Sequence, residues 1–311
     1  MITPAPLYDD IADGPKGGAA YWITTEDGVR LRAAYWPGGD KGTILMFPGR
    51  TEYVEKYGPT AAAMAQRGYG VLCIDWRGQG LSDRALPDKM SGHVHDFAEY
   101  QLDIHAMLAL ADTLEVPKPR FLISHSMGGC IALRALLLNL PVRAAVFSAP
   151  MWGIRMMPAI RPVAVMLTGL SRLTGQYHRY TPGTKPRTYV TDAPFAGNVL
   201  TTDPDMYAWM KTQVTAHPDL ALGGPSLGWL HAAMAECRAL AALPSPHLPT
   251  VCALGSAEKV VDTAPIRARM AKWKSGHLNI YQSAEHEVIM ETPAHRTRFF
   301  DHAAALFDAN A

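Results

Sequence analysis

The sequence predicts an α/β fold with a doubly wound, mostly parallel sheet. Two observations predict it. First, continuous apolar runs such as Thr43–Phe47 and Gly70–Asp75 are typical of strands that are buried on both faces. Second, segments with apolar residues at helical spacing separate these runs, and strands that alternate with helices form a parallel sheet. A length of 311 residues and an apolar content of 48% are sufficient for one large core.

The elements follow one another in a regular order. After an irregular lead-in to about residue 18, strands at 21–24 and 29–36 flank a turn at 26–28 and predict a hairpin. The next part alternates between strands and helices, at 43–47, 57–67, 70–75, 97–114, 121–123, 131–138 and 144–148. The alternation resumes later, with a strand at 250–254, a helix at 263–272, a strand at 278–281 and a last helix at 294–307.

Residues 151–245 interrupt the alternation, and we call them the inserted segment. They are rich in Met, Pro, Gly, Trp and Tyr, with short helix-like pieces and no strong strand. We therefore expect residues 1–150 and 246–311 to form the core, and the inserted segment to be a mainly helical lid over one edge of the sheet. Its apolar side chains suit either the interior of the lid or an acyl-chain groove: Met151, Trp152, Met156, Met157, Met166 and Leu167.

Composition and charge exclude several classes of protein. A net charge of +1 argues against nucleic acid as a bulk partner. The four cysteines form no CxxC pair and lie in apolar contexts, which predicts buried, reduced thiols. The N-terminus lacks the basic and apolar regions of a signal peptide, and no apolar run reaches the ~18 residues of a membrane span. We expect a cytoplasmic protein, at most peripheral to a membrane.

Charge is unevenly distributed along the chain. Residues 116–191 contain no Asp or Glu but ten Lys or Arg residues. Two interpretations stay open for this stretch: solvated charges placed by chance, or a positive face on the inserted segment that attracts anionic head groups or a membrane surface.

Ser126 is the candidate nucleophile. It lies in the stretch Ser124-His125-Ser126-Met127-Gly128-Gly129, between an apolar strand and a helical run. A serine flanked by small residues at a strand-to-helix turn is the pattern of a nucleophile elbow, usually Gly-x-Ser-x-Gly. Here Ser124 replaces the first glycine. We expect His125, inside the same turn, to have a packing or solvent-facing role rather than a catalytic one.

A serine hydroxyl needs a base to take its proton and a carboxylate to orient that base. His286 follows the strand at 278–281, and Glu258 and Asp262 follow the strand at 250–254, so all three belong to the rim that carries Ser126. We assign His286 as the general base and Glu258 as the orienting acid, with Asp262 as the alternative acid.

The tetrahedral intermediate of acyl transfer needs two N–H donors. One is the backbone N–H of Met127, directly after the nucleophile. The other is predicted to be the backbone N–H of Arg50, in the loop Pro48-Gly49-Arg50-Thr51-Glu52 after the strand at 43–47, because Gly49 permits a close turn. Because this role uses only the backbone N–H, the side chain of Arg50 is available for a separate function.

Several motifs together resemble the lysophospholipase and monoacylglycerol lipase group of α/β-hydrolases. Residues 48–57 are similar to the oxyanion loop HGxxEhxxRY, with Pro48 in place of histidine, and residues 75–82 match D-x-R-G-x-G-x-S. Gly255 to Glu258 lie where the group has G-x-x-D, and residues 286–291 match H-E-x-x-x-E. The resemblance spans about residues 20–305 and implies an α/β-hydrolase with a helical lid that cleaves an ester of a monoacyl lipid, either a lysophospholipid or a monoacylglycerol.

Three other functions stay open. A serine aminopeptidase would use the same fold and triad but would need a carboxylate for the substrate's α-amino group. An acyltransferase would pass the acyl group from Ser126 to an alcohol. A non-catalytic ligand-binding module would show no turnover at all. We expect no cofactor, and no metal, because His93 and His95 lack the spacing of a zinc site and are predicted to brace a loop.

Overall fold

A nine-stranded sheet forms the centre of the computed structural model, which describes residues 2–311. Its strands in chain order are β1 (Thr3–Ala5), β2 (Ala19–Thr24), β3 (Arg30–Trp36), β4 (Thr43–Phe47), β5 (Gly70–Asp75), β6 (Arg120–His125), β7 (Ala145–Ser148), β8 (Thr250–Gly255) and β9 (Gly276–Tyr281). Their spatial order is β1-β2-β3-β5-β4-β6-β7-β8-β9. The pairs among β1, β2, β3 and β5 are antiparallel, and all pairs from β5 to β9 are parallel. The predicted mostly parallel sheet is confirmed.

Helices cover both faces of the sheet. They are α1 (Asp9–Ala12), α2 (Gly58–Ala65), α3 (Glu99–Thr113), α4 (Met127–Leu137), α5 (Arg161–Leu173), α6 (Tyr189–Asp192), α7 (Pro204–Ala216), α8 (Leu227–Ala241), α9 (Thr263–Met270) and α10 (Pro293–Asp308). Because side chains alternate along a strand, β4 contributes to two hydrophobic clusters. Leu45 and Phe47 pack with α3, α4 and α8, whereas Ile44 and Met46 pack with α2, α7 and α10.

Two local expectations need correction. The lead-in is not wholly irregular, because Thr3–Ala5 pairs with β2 as an edge strand whose three residues gave no recognisable alternation. The helix expected at 57–67 is split into a 3-10 turn, Val54–Tyr57, and α2, which begins at Gly58 with Pro59 in its first turn. Each of the four cysteines is a buried free thiol, as predicted.

The inserted segment lies between β7 and β8 and contains α5 to α8. All of its residues are described by the structure, and none belongs to the sheet. Two isolated β-bridges connect it to the core, Gly92 with Pro225 and Ile154 with Val261, and Trp229 packs against Phe97. This attachment places the inserted segment above the ends of the parallel strands that carry the candidate catalytic residues.

A buried ion cluster fixes the loop after β4. The Arg32 guanidinium donates to Asp75 at 2.7 Å and to both carboxylate oxygens of Glu55 at 2.7 Å, and none of these side chains reaches solvent. Asp75 also accepts from the backbone N–H of Val54 at 2.8 Å. A buried charge pair of this kind is costly to break from one side, so the loop at 48–54 is held firmly against the sheet.

Candidate active site

Ser126 is the single residue between β6 and α4 and forms the sharp turn that joins them. Its backbone angles are φ 48° and ψ −116°, in a region that non-glycine residues rarely adopt. Hydrogen bonds hold this strained conformation, because the Ser126 N–H donates to the Ser148 carbonyl at 3.0 Å and its carbonyl accepts from Met151 N–H at 2.8 Å. A side chain at Gly128 would collide with the backbone of β4. The turn therefore has the geometry of a nucleophile elbow.

A continuous hydrogen-bond chain joins Ser126 to Glu258. The Ser126 Oγ lies 2.9 Å from Nε2 of His286, and Nδ1 of that imidazole lies 2.7 Å from Oε2 of Glu258. The second carboxylate oxygen, Oε1, accepts from the N–H groups of Val260 at 2.5 Å and Val261 at 3.0 Å. Burial opposes ionisation of Glu258, but His286 and these amides hold its pKa below the ordinary value.

Asp262, the alternative acid, does not join this chain. Its carboxylate caps the N-terminus of α9 by accepting from the Ala264 N–H at 3.1 Å. The longer glutamate side chain reaches His286 from a loop position four residues earlier, so the structure brings together Ser126, His286 and Glu258 and leaves Asp262 outside.

The two predicted oxyanion donors border the same turn. Within the described part of the chain, neither the Arg50 N–H nor the Met127 N–H has an acceptor, which leaves both available to a substrate oxygen. The expected reason for the loop's shape needs refinement. Thr51, with φ 68°, makes the left-handed turn, whereas Gly49 is small because a side chain there would meet Glu52 and His125.

A buried charged cluster lies beside the triad: Glu52, Lys56, His125 and Glu287. Lys56 Nζ lies 2.8 Å from Glu52 and 2.7 Å from Glu287. Burial opposes the ammonium charge, but the two carboxylates raise the pKa of Lys56 above its ordinary value. Glu52, His125 and Glu287 are the described side chains with metal-ligand spacing. The Lys56 ammonium already contacts both carboxylates, so a metal ion would have to displace it, and these residues do not form a fitting metal site.

His125 packs against the catalytic imidazole, with ring centroids 4.8 Å apart, and its Nδ1 lies 3.1 Å from the Ser148 carbonyl. Burial lowers the pKa of His125 to about 3, so this ring stays neutral beside His286. The packing role expected for it fits this position. The expected bracing role of His93 fits its 2.7 Å hydrogen bond to Ser226, at the start of α8.

The charged cluster was not predicted from the sequence. Its signal was weak: Glu52 and Lys56 are four residues apart, a spacing that pairs charges on a helical turn. Glu287 comes from a distant part of the chain, and nothing in the spacing pairs it with Lys56.

Ser126 and His286 line a cavity of about 320 Å³ between the core and the inserted segment. Apolar side chains form much of its wall: Met151, Ile154, Val190, Val199, Leu200, Met210, Val214, Trp229, Val260 and Val261. Two carboxylates line the cavity, Glu52 and Glu287, and both are paired with Lys56. The cavity therefore suits an apolar group next to Ser126.

This fold, with the serine at the β6–α4 turn and the histidine and carboxylate on the same rim, defines the α/β-hydrolase class. A family model described as serine aminopeptidase, S33 (Hydrolase_4) matches residues 38–293, and the chain belongs to that family.

Relatives within this group are ester hydrolases of lipids. Lysophospholipase L2 of Escherichia coli is 30% identical over 280 residues, which cover 86% of this chain and 80% of the relative. A monoacylglycerol lipase of Mycolicibacterium smegmatis is 25% identical over 270 residues, covering 85% of this chain and 88% of the relative. A solved monoglyceride lipase from Saccharomyces cerevisiae shares the fold, with a TM-score of 0.71, 18% identity, and coverage of 93% and 94% of the two chains. This chain is a serine ester hydrolase.

Proposed function

We propose that this chain hydrolyses the carboxylic ester of a monoacyl lipid through an acyl intermediate on Ser126. The observation that carries the proposal is the hydrogen-bond chain from Ser126 through His286 to Glu258, together with the apolar-walled cavity that Ser126 and His286 border. The names of the relatives, lysophospholipase and monoacylglycerol lipase, support the substrate class.

In this mechanism His286 Nε2 takes the Ser126 proton while Oγ attacks the ester carbonyl. The N–H groups of Arg50 and Met127 hold the resulting oxyanion. Glu258 holds the imidazole with its proton on Nδ1 and stabilises the imidazolium that forms. The imidazolium then protonates the leaving alcohol, and the acyl group stays on Ser126. Water, deprotonated by His286, releases the fatty acid.

The test is a comparison of substrates. We expect purified protein to release fatty acid from a long-chain lysophospholipid or monoacylglycerol faster than from the short-chain ester of the same alcohol, because the apolar walls stabilise a long acyl chain. Fatty acid release, measured against a Ser126→Ala blank, decides this. Hydrolysis of short esters alone, with no gain from longer chains, would contradict the lipid assignment.

The same observations weigh against the other functions. A serine aminopeptidase needs an unpaired carboxylate for the α-amino group, whereas Lys56 is ion-paired with both carboxylates that line the cavity, Glu52 and Glu287. A binding module does not need a strained serine aligned with a histidine. An acyltransferase would share every step up to the acyl-enzyme, and added alcohol would then change the product.

We further propose that α5 docks on an anionic lipid surface. Its buried face is polar, with Thr168 and Ser171 turned inward, while its solvent face carries apolar side chains. The exposed fractions reach 86% for Leu173 and 67% for Met166. Arg161 and Arg172 of α5 and Arg155 just before it are exposed, and such cations are attracted to anionic head groups. No helix among residues 2–311 is long and apolar enough to cross a bilayer.

We expect the variant Met166→Gln, Leu170→Gln, Leu173→Gln to bind vesicles of phosphatidylglycerol at least about tenfold more weakly, because the apolar area that enters the lipid is lost. Sedimentation with vesicles measures this. Leu138→Gln is the matched control. It also replaces an exposed leucine, but one that lies outside the inserted segment. Equal binding by the triple variant and the unchanged protein would contradict α5 docking, and equal binding to phosphatidylcholine would contradict the role of the arginines.

A further inference from the structure

Arg50 places an uncompensated cation in the wall of the catalytic cavity. Its Nη2 donates to the Gly223 carbonyl at 2.6 Å, its Nε is buried, and among residues 2–311 no acceptor approaches that Nε and no carboxylate pairs with the guanidinium. An arginine has five N–H donors, so most of this fork is unused by the protein. Burial lowers the pKa of Arg50 to about 10, which still leaves it charged at neutral pH.

The surrounding residues hold this side chain in a fixed direction. The Thr51 N–H donates to the side-chain oxygen of Gln79 at 3.0 Å, which fixes the backbone next to Arg50. The guanidinium carbon lies 5.3 Å from the Trp229 ring centroid. A Cβ at Gly92 would lie 2.5 Å from Nη2, so glycine leaves the room that the guanidinium occupies. These contacts hold the guanidinium in the wall of the site.

Arg50 also lines a second, more open pocket of about 450 Å³. Two further cations, Lys185 and Arg187, lie on its rim, together with one carboxylate, Asp192. Asp192 lies 3.3 Å from Arg187, so these two charges compensate each other, and among residues 2–311 no carboxylate pairs with Lys185. Arg50 therefore stands where an apolar catalytic cavity meets a positively charged opening.

We propose that the Arg50 guanidinium binds the phosphate of a monoacyl phospholipid while the backbone N–H of the same residue binds the oxyanion of its ester. This inference rests on the proposed function and names its substrate as a lysophospholipid. The acyl chain then lies along the apolar walls, and the head group extends toward Lys185 and Arg187. An arginine fork matches phosphate oxygens in geometry and charge.

The spacing within the substrate agrees with this arrangement. In a lysophospholipid the ester and the phosphate are attached to one glycerol unit, a few bonds apart. In Arg50 the amide and the guanidinium are separated by one side chain of similar length. A monoacylglycerol has a hydroxyl in place of the phosphate and would leave the cation without an anionic partner.

The experiment compares two substrates with the same acyl chain, lauroyl lysophosphatidylglycerol and monolauroylglycerol. For Arg50→Gln we expect the ratio of their kcat/KM values, phospholipid over glyceride, to fall about 10- to 100-fold, the loss of a hydrogen-bonded charge contact. Arg50→Lys should give an intermediate ratio, because lysine keeps the charge without the fork. Arg269→Gln is the matched control: Arg269 is also stacked on a tryptophan, Trp152, at 5.6 Å and donates to a carbonyl, but it lies outside both cavities.

The outcomes separate this inference from the proposed function. If unchanged protein hydrolyses neither lipid, the proposed function fails. If it hydrolyses both and Arg50→Gln lowers both equally, the Arg50 inference fails and the residue acts through its loop alone. If the ratio is unchanged but inorganic phosphate inhibits the unchanged protein and not Arg50→Gln, the site binds free phosphate and the substrate assignment is overturned.

Discussion

Replacing Ser126 by alanine is expected to lower kcat for ester hydrolysis about 10⁴- to 10⁶-fold, the range found when a triad nucleophile is removed. The physical reason is the loss of the Oγ that lies 2.9 Å from His286. Without it no acyl-enzyme forms, and hydrolysis depends on the oxyanion donors and binding alone. Fatty acid release measures the rate, and a fluorophosphonate probe measures whether the protein still forms a covalent adduct.

Ser124 provides the control for this experiment. It lies two residues earlier in the same stretch, is fully buried, and its Oγ has no hydrogen-bond partner among residues 2–311. Ser124→Ala removes the same hydroxyl group without touching His286, so kcat should stay within about threefold and labelling should persist. Labelling that survives in Ser126→Ala would show that another residue is the nucleophile.

Much of the fold could be predicted from the sequence because its strands are buried on both faces. Such strands form continuous apolar runs, and the turn residues after them mark where each strand ends. Ser126 could be placed for the same reason, since its flanking small residues follow directly from the sharp turn. β1 could not be placed, because three edge residues carry too little periodicity to distinguish a strand from a loop.

The choice of acid could not be settled from the sequence, since Glu258 and Asp262 follow the same strand. What distinguishes them is the path of the loop, which gives Glu258 two backbone donors and turns Asp262 toward α9. The lack of an ion-pair partner for the Arg50 side chain could not be predicted from the sequence either. Whether a charged side chain has an ion-pair partner depends on residues that are close in space but distant in sequence, and residue spacing along the chain does not indicate it.

Replacing Glu258 by glutamine is expected to lower kcat about 10³- to 10⁴-fold, in the range seen when the triad acid is neutralised. Val260 and Val261 donate to Oε1, so they would select the carbonyl oxygen of the new amide at that position. The amide NH₂ would then face Nδ1 of His286. That nitrogen would have to accept, which forces the proton onto Nε2 and leaves no base for Ser126.

Asp262→Asn is the matched control, and the contrast tests the assignment. Asn caps a helix about as well as Asp, so the hydrogen bond from the Ala264 N–H and the start of α9 should survive. We expect kcat to change less than about threefold and the free energy of unfolding by less than about 1 kcal/mol. Steady-state kinetics and urea unfolding measure both. A larger loss of kcat in Asp262→Asn than in Glu258→Gln would move the role of acid to Asp262, because the substitution that disturbs the imidazole tautomer must be the one facing Nδ1.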